Sequence, residues 1–208
     1  MSKNLIIYYS RKGQNYWNGS IKNLDKGNTE IVAEFIQKAV GGDLFEIETV
    51  KEYSADYYEC IDDAKQELNS GARPELKKYL DSIDEYDNIF ICGPCWWGTY
   101  PMAMFTQLER LDWNGKKVIA VMTHEGSGLG SCERDLKKIC TGAIFEKRFC
   151  RSRCRRFKIR KACCGLCKTN SEIIKGVRKM AITEFSKIIM KNVSEIPFCF
   201  FGNRSRIY

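Results

Sequence analysis

The chain has 208 residues, 44% of them hydrophobic, which suits one domain with an apolar core of its own. It has neither a run of ~18 apolar residues for a membrane helix nor the apolar segment and cleavage site of a secretory signal, so a cytoplasmic protein without membrane contact is expected. The formal charge of +8 describes neither part of the chain: residues 1–146 carry 17 Lys and Arg against 23 Asp and Glu, a net −6, and residues 147–208 carry 17 against 3, a net +14.

The run Asn4–Tyr9 (NLIIYY) is apolar and aromatic and gives way to SRKGQN, which reads as a buried strand entering a polar loop. A helix follows after a delay, with Asn28 or Thr29 able to cap it; Ile31, Val32, Phe35, Ile36, Ala39 and Val40 recur at helical spacing and Gly41 ends it. DLFEIET alternates Phe45 and Ile47 with Glu46 and Glu48, as a one-sided or edge strand does. Residues 55–70 read as a loosely amphipathic helix and ELKKYLDSI (75–83) as another helical stretch. YDNIFICG is a third strand, Pro101 opens a helix whose buried face is Met102, Phe105, Leu108 and Leu111, and KKVIAVMTHEG is a fourth strand.

Strands alternating with helices at this rhythm predict parallel crossover units, hence a sheet covered by helices on both faces. Ligands bind such sheets at the carboxyl ends of the strands, where the loops after Tyr9, Cys92 and Met122 should share one rim. The first loop offers SRKGQN and then GNTE at a helix start, where backbone N–H groups and small hydroxyl side chains suit a phosphate. The second, PCWWGTYP, offers flat apolar surface and a flexible glycine. The third, THEGSGLG (123–130), brings further glycine backbone to the same edge.

Together these loops resemble the flavodoxin family, whose first loop often reads Ser-Arg-Thr-Gly-Asn-Thr. Here that pattern is split: Ser10, Arg11 and Lys12 stand at its beginning, Gly27, Asn28 and Thr29 at its end, with residues 13–26 between. WWGTYPMAMFTQLE and THEGSGLG are similar to the second and third flavin loops of short-chain flavodoxin-like proteins, and the resemblance runs from residue 3 to about 146. It implies an α/β, doubly wound parallel sheet in the order 2-1-3-4-5, and bound FMN. The phosphate would lie at Ser10, Arg11, Lys12, Asn28 and Thr29, with Gly13, Gln14 and Asn15 as alternative donors. The ring would lie between Pro94, Cys95, Trp96, Trp97, Gly98 and Thr99 on one side and His124, Glu125, Gly126, Ser127 and Gly128 on another. A Gly98 carbonyl near the ring nitrogen would accept a hydrogen bond after one-electron reduction, and the acidic body would lower the flavin potential.

Other chemistries fit the same residues less well. Cys92-Gly-Pro-Cys95 matches a thioredoxin dithiol, but the next helix opens only at Pro101, too far on to depress a thiol pKa. HEGSGLG lacks the glycines of a nucleophile elbow, and GSGLG follows the fourth strand, not the first as in a dinucleotide fold.

From residue 147 the composition changes. The eleven cysteines, an odd count, read as reduced thiols, and six of them follow residue 147. Cys150, Cys154, Cys164 and Cys167 form a C-x3-C…C-x2-C set beside seven basic residues from Arg151 to Lys161. Four thiolates can bind zinc and the basic run can contact phosphates, but the halves stand closer than in zinc ribbons, so no metal site is expected and nucleic acid is not the expected partner. AIFEKRFC puts Glu146, Lys147 and Arg148 where a fifth strand should be apolar, and residues 171–190 show helical spacing suited to a closing helix. The organisation expected is a flavodoxin-like domain over 1–149 and a basic, Cys-rich tail over 150–208. The expected function is an FMN redox protein serving redox partner proteins or small acceptors. It would act as carrier or as an NAD(P)H-dependent reductase of quinone or flavin. The alternative is a binding module whose tail engages nucleic acid or an acidic partner.

Overall fold

The computed structural model describes residues 3–17, 19–125 and 127–145. Along the chain lie β1 (Asn4–Tyr8), β2 (Gly13–Trp17), β3 (Ser20–Leu24), α1 (Asn28–Val40), β4 (Asp43–Glu46) and α2 (Tyr57–Ser70). They are followed by β5 (Asn88–Pro94), α3 (Met102–Leu108), β6 (Lys117–Thr123), α4 (Cys132–Ile139) and β7 (Ile144–Phe145).

Five strands pair in parallel in the order β4-β1-β5-β6-β7. Numbered within this sheet alone, that is the expected 2-1-3-4-5, and the carboxyl ends of β1, β5 and β6 share one edge. Both faces of the central strands are buried. Leu5, Ile7, Ile89, Ile91, Val118 and Ala120 join the core that includes Phe105 and Leu108 of α3 and Leu136 of α4. Ile6, Tyr8, Phe90 and Cys92 face Val32, Ala33 and Ile36 of α1. Period-2 strands thus meet a helix that repeats at i, i+3, i+4 and i+7 from Thr29, each full burial of a large apolar chain contributing roughly 1.5–3 kcal/mol. The fifth strand is two residues long, Ile144 and Phe145, within the described range. The Cys set, the closing helix and the tail lie outside the described residues.

Two expectations need correction. Residues 75–83 are not helical. Val50 N–H donates to Glu75 O and Lys77 N–H to Glu48 O, so the segment pairs with the chain after β4. The buried amide of Gln107 donates to Leu80 O and accepts from Leu80 N–H, both at 2.9 Å. Tertiary bonds override a short helical pattern that follows Pro74. The second correction concerns the α1 cap. Gly27 is the N-cap and gives no side-chain bond, while Asn28 and Thr29 lie inside the first turn. The capping oxygen comes from Ser10, whose Oγ accepts from Glu30 N–H at 3.0 Å.

The inserted segment explains how residue 10 reaches residue 30. β2 and β3 form an antiparallel hairpin in which Gly13 pairs with Leu24 and Trp17 with Ser20. An excursion of this kind returns to its origin, so Lys12 and Asp25 end up adjacent and the interrupted loop closes. The hairpin is also tied to α2. Arg11 donates through Nε to Gln14 O and through its terminal nitrogen to Ser54 O (2.9 Å) and Ala55 O (3.0 Å). Gln14 Oε1 accepts from Tyr57 N–H at 2.8 Å, and the Tyr16 and Tyr57 rings stack at 6.1 Å.

Arg11→Met keeps the stem but removes these donors. It is expected to speed amide exchange across residues 13–24 and 54–57 and to cost roughly 1.5–3 kcal/mol in urea unfolding, the scale of hydrogen bonds to a charged group; unchanged exchange in the hairpin would show that Arg11 does not anchor it.

Candidate functional site

The start of α1 is packed so closely that only glycine fits. A Cβ on Gly27 would stand 2.1 Å from Ser10 Oγ and 2.6 Å from Arg11 O. The first N–H groups of a helix have no intrahelical acceptor and lie at the positive end of the helix dipole; Ser10 takes that of Glu30. In that bond Ser10 Oγ is the acceptor. Thr29, buried at 2% exposure, shares a 2.8 Å hydroxyl bond with Thr123, which fixes the helix start to the end of β6. Lys12 is exposed. The other candidates are engaged elsewhere: the Arg11 guanidinium holds carbonyls of 14, 54 and 55, Asn15 Nδ2 donates to Arg11 O and Gly13 O at 3.1 Å each, and Gln14 caps α2.

The second loop is a tight turn. Trp96 N–H donates to Thr99 O (2.9 Å) and Thr99 N–H to Trp96 O (3.1 Å), with Trp97 and Gly98 between them at φ 52° and 83°. Positive φ at both central positions is the type I′ arrangement, and for tryptophan it is sterically costly by about 1–2 kcal/mol. The two indoles separate. Trp96 turns inward and meets Tyr9 and Tyr53 edge-on at 5.4 and 5.1 Å. Trp97 turns outward, 48% exposed, its Nε1–H donating to Ile61 O of α2 at 2.8 Å and the Lys65 ammonium 4.7 Å from its ring centre. The Gly98 carbonyl, expected to face a ring nitrogen, instead accepts from Ser131 N–H at 2.6 Å.

Pro94 ends β5, and Cys95 N–H donates to Thr123 O at 2.8 Å, so the second and third loops leave the sheet side by side. Cys92 is fully buried in β5 and burial pushes its thiol far up, which removes it as half of a working dithiol. Glu125 and Ser127 are exposed, Gly128 has φ 73°, and Gly126 lies outside the described residues. His124 Nδ1 accepts from Gly128 N–H at 3.1 Å, which folds the third loop back on itself. Burial lowers the His124 pKa below its usual 6.5. Tyr57, at the start of α2, has its hydroxyl pKa raised by burial, with Tyr16, Cys60 and Glu125 among the groups that add to the effect.

A flavodoxin family model matches residues 23–155. The chain belongs to the flavodoxin family. A comparison with curated proteins gives no match. Among solved structures, a flavoprotein by inference from Bacteroides eggerthii aligns at 29% identity and TM-score 0.57, over 70% of this chain and 86% of its own. Another such protein, from Bacteroides uniformis, gives 29% and 0.55 over the same shares. A Lactobacillus acidophilus flavoprotein solved in complex with FMN shares the fold at 24% identity and TM-score 0.52, over 70% of this chain and 90% of its own.

In this member of the family the carboxyl-end rim carries Ser10, Lys12, Asn28 and Thr29 around the α1 start, Pro94 to Thr99 at the turn, and His124, Glu125, Ser127 and Gly128 beyond β6. Sequence reasoning missed Tyr57, Ser131 and Asp135, and named Thr123 only as the start of the third loop. Only Thr123, a hydroxyl at the end of a buried strand, carried a local signal. Among the described residues no group of His, Cys, Asp or Glu is arranged to hold a metal, and no helix is long and apolar enough to cross a membrane.

His124 is the single histidine, so its titration can be isolated. Because its folded-state pKa is lowered, the native state prefers the neutral ring: stability is full above the unfolded value of 6.5 and is lost as pH falls from there towards the folded value. Urea unfolding between pH ~7 and ~5.5 should show wild type losing stability relative to His124→Gln, which keeps an acceptor for Gly128 N–H without the titration; parallel curves would refute this.

Proposed function

We propose that this flavodoxin-family protein binds FMN and works in electron transfer, either carrying electrons between redox partners or passing them to a small acceptor. The observation that carries the reading is the closure of the split loop. The hairpin returns the chain so that Ser10 and the Arg11 backbone stand against the start of α1, on the rim where the Trp97 turn and the third loop emerge. A helix start walled by glycine and small hydroxyls accepts a phosphate through backbone N–H groups.

On this reading the N–H groups of Asn28 and Thr29, the Ser10 hydroxyl and the Lys12 ammonium hold the phosphate. Arg11 supports them from behind by holding the hairpin to residues 54 and 55, since its own donors are spent there. Trp97 presents a half-exposed indole as one wall, with Gly98 and Thr99 beside it. His124, Glu125, Ser127 and Gly128 border the opposite edge. Trp96, Pro94 and Cys95 form the floor, and Tyr57 narrows the approach. FMN supplies the electron chemistry; the protein binds it, orients it and limits its contact with water. The neutral His124 ring adds no positive charge beside the bound group.

Trp97→Ala should weaken FMN binding by roughly 1–3 kcal/mol, the scale of lost aromatic stacking and burial, as measured by calorimetry on the purified chain. Unchanged affinity would remove Trp97 from the wall of the site.

A further inference from the structure

The Trp96–Thr99 turn holds a tryptophan at positive φ with only two bonds of its own, and backbone in that state persists where its surroundings over-determine it. On one side α2 takes the Trp97 indole N–H. On the other side stands α4, and its grip is more elaborate. Ser131 N–H donates to Gly98 O, and Gly130 lies so close beneath that carbonyl that a Cβ there would meet it at 2.0 Å. Asp135 Oδ2 accepts from Thr99 Oγ1 at 2.9 Å and from Ser131 Oγ at 2.6 Å. Its other oxygen accepts from Arg134 Nε at 3.2 Å. The Ser131 hydroxyl also lies 3.2 Å from Gly98 O, but its one proton goes to the nearer, charged acceptor.

One carboxylate oxygen therefore joins the last residue of the turn to the residue that holds the carbonyl at its tip. We propose that Asp135 is a positioning residue: by binding the Thr99 and Ser131 hydroxyls together it locks the Gly98–Thr99 peptide in the shape that receives the flavin. The inference rests on the FMN reading for what the turn receives, and on this chain alone for what holds the turn. On this proposal Asp135 works through Thr99 and Ser131. It acts from α4, nearly forty residues along the chain from the indole it controls.

The test uses the full chain with Asp135→Ala, Asp135→Asn and Thr99→Val, each read by amide exchange without flavin and by FMN titration. Asp135→Ala should speed exchange at the Thr99 and Ser131 amides at least about tenfold and raise the FMN Kd by a similar factor, the scale of two lost bonds to a charged acceptor, while the amides of Ile91 and Ile119 in the sheet keep their wild-type rates. Asp135→Asn keeps an acceptor oxygen and should recover most of both effects. Thr99→Val, which leaves α4 intact, should reproduce the loosening of the turn. Wild-type exchange at Thr99 and Ser131 in Asp135→Ala and Thr99→Val would overturn the proposal. So would acceleration spread evenly over the sheet, which is the mark of a merely structural acid, or a loosened turn whose FMN affinity is unchanged. An unaltered chain that ignores FMN would count against the FMN reading and would be seen separately, because the exchange rates need no flavin.

Discussion

The hydrogen bond from Glu30 N–H to Ser10 Oγ joins two pieces of chain that the sequence holds twenty residues apart, and the site depends on it. It exists because the intervening residues fold as a hairpin whose ends meet, Gly13 opposite Leu24. Had the segment been a loose loop, closure would have left Ser10 free to wander from the helix it caps. Gly27 makes the approach possible, since any side chain there would collide with Ser10 and Arg11. The insertion thus leaves a contiguous cradle and adds an arm to it, held by Arg11 and Gln14 to the loop and first turn that open α2.

The Trp turn shows the same division between rigid support and an exposed working surface. Trp96 is locked among Tyr9 and Tyr53, so the turn cannot lift off the sheet as a body. Trp97 is presented outward at a backbone angle that costs energy, and the cost is met from two helices. α2 supplies a carbonyl for the indole, and α4 supplies Ser131 and Asp135 for the peptide beyond it. The Asp135 carboxyl pKa is below its usual value although desolvation, the largest influence, pushes it up; hydrogen bonds from Ser131, Thr99 and Arg134 outweigh that. A charge held in this way is a firmer anchor than a neutral bond.

The strands were legible because long apolar runs such as Asn4–Tyr8 and Asn88–Cys92 have no other place in a folded domain than the middle of a sheet, and their alternation with α1 and α3 dictated parallel order. The rim loops were legible because they follow those strands. Residues 75–83 misled because Leu76, Tyr79, Leu80 and Ile83 recur at helical spacing while their backbone partners, Glu48, Val50 and Gln107, lie far away in sequence. The cap of α1 misled for a like reason: a local rule favours Asn28 or Thr29, whereas the oxygen arrives from Ser10. The hairpin carries few apolar residues, and its pairing is fixed by backbone bonds and by contacts to α2. Asp135 stood unremarked in a charged helix because what distinguishes it is two hydroxyls on other segments.

The central claim is that the closed split loop is a phosphate seat, and it is tested most directly by titrating the purified full chain with FMN and, separately, with riboflavin, which has the same ring and no phosphate. The account predicts that FMN binds at least about a hundredfold more tightly, the scale of several charge-assisted hydrogen bonds at a helix start. Equal affinity for the two, or no binding of FMN, would contradict it.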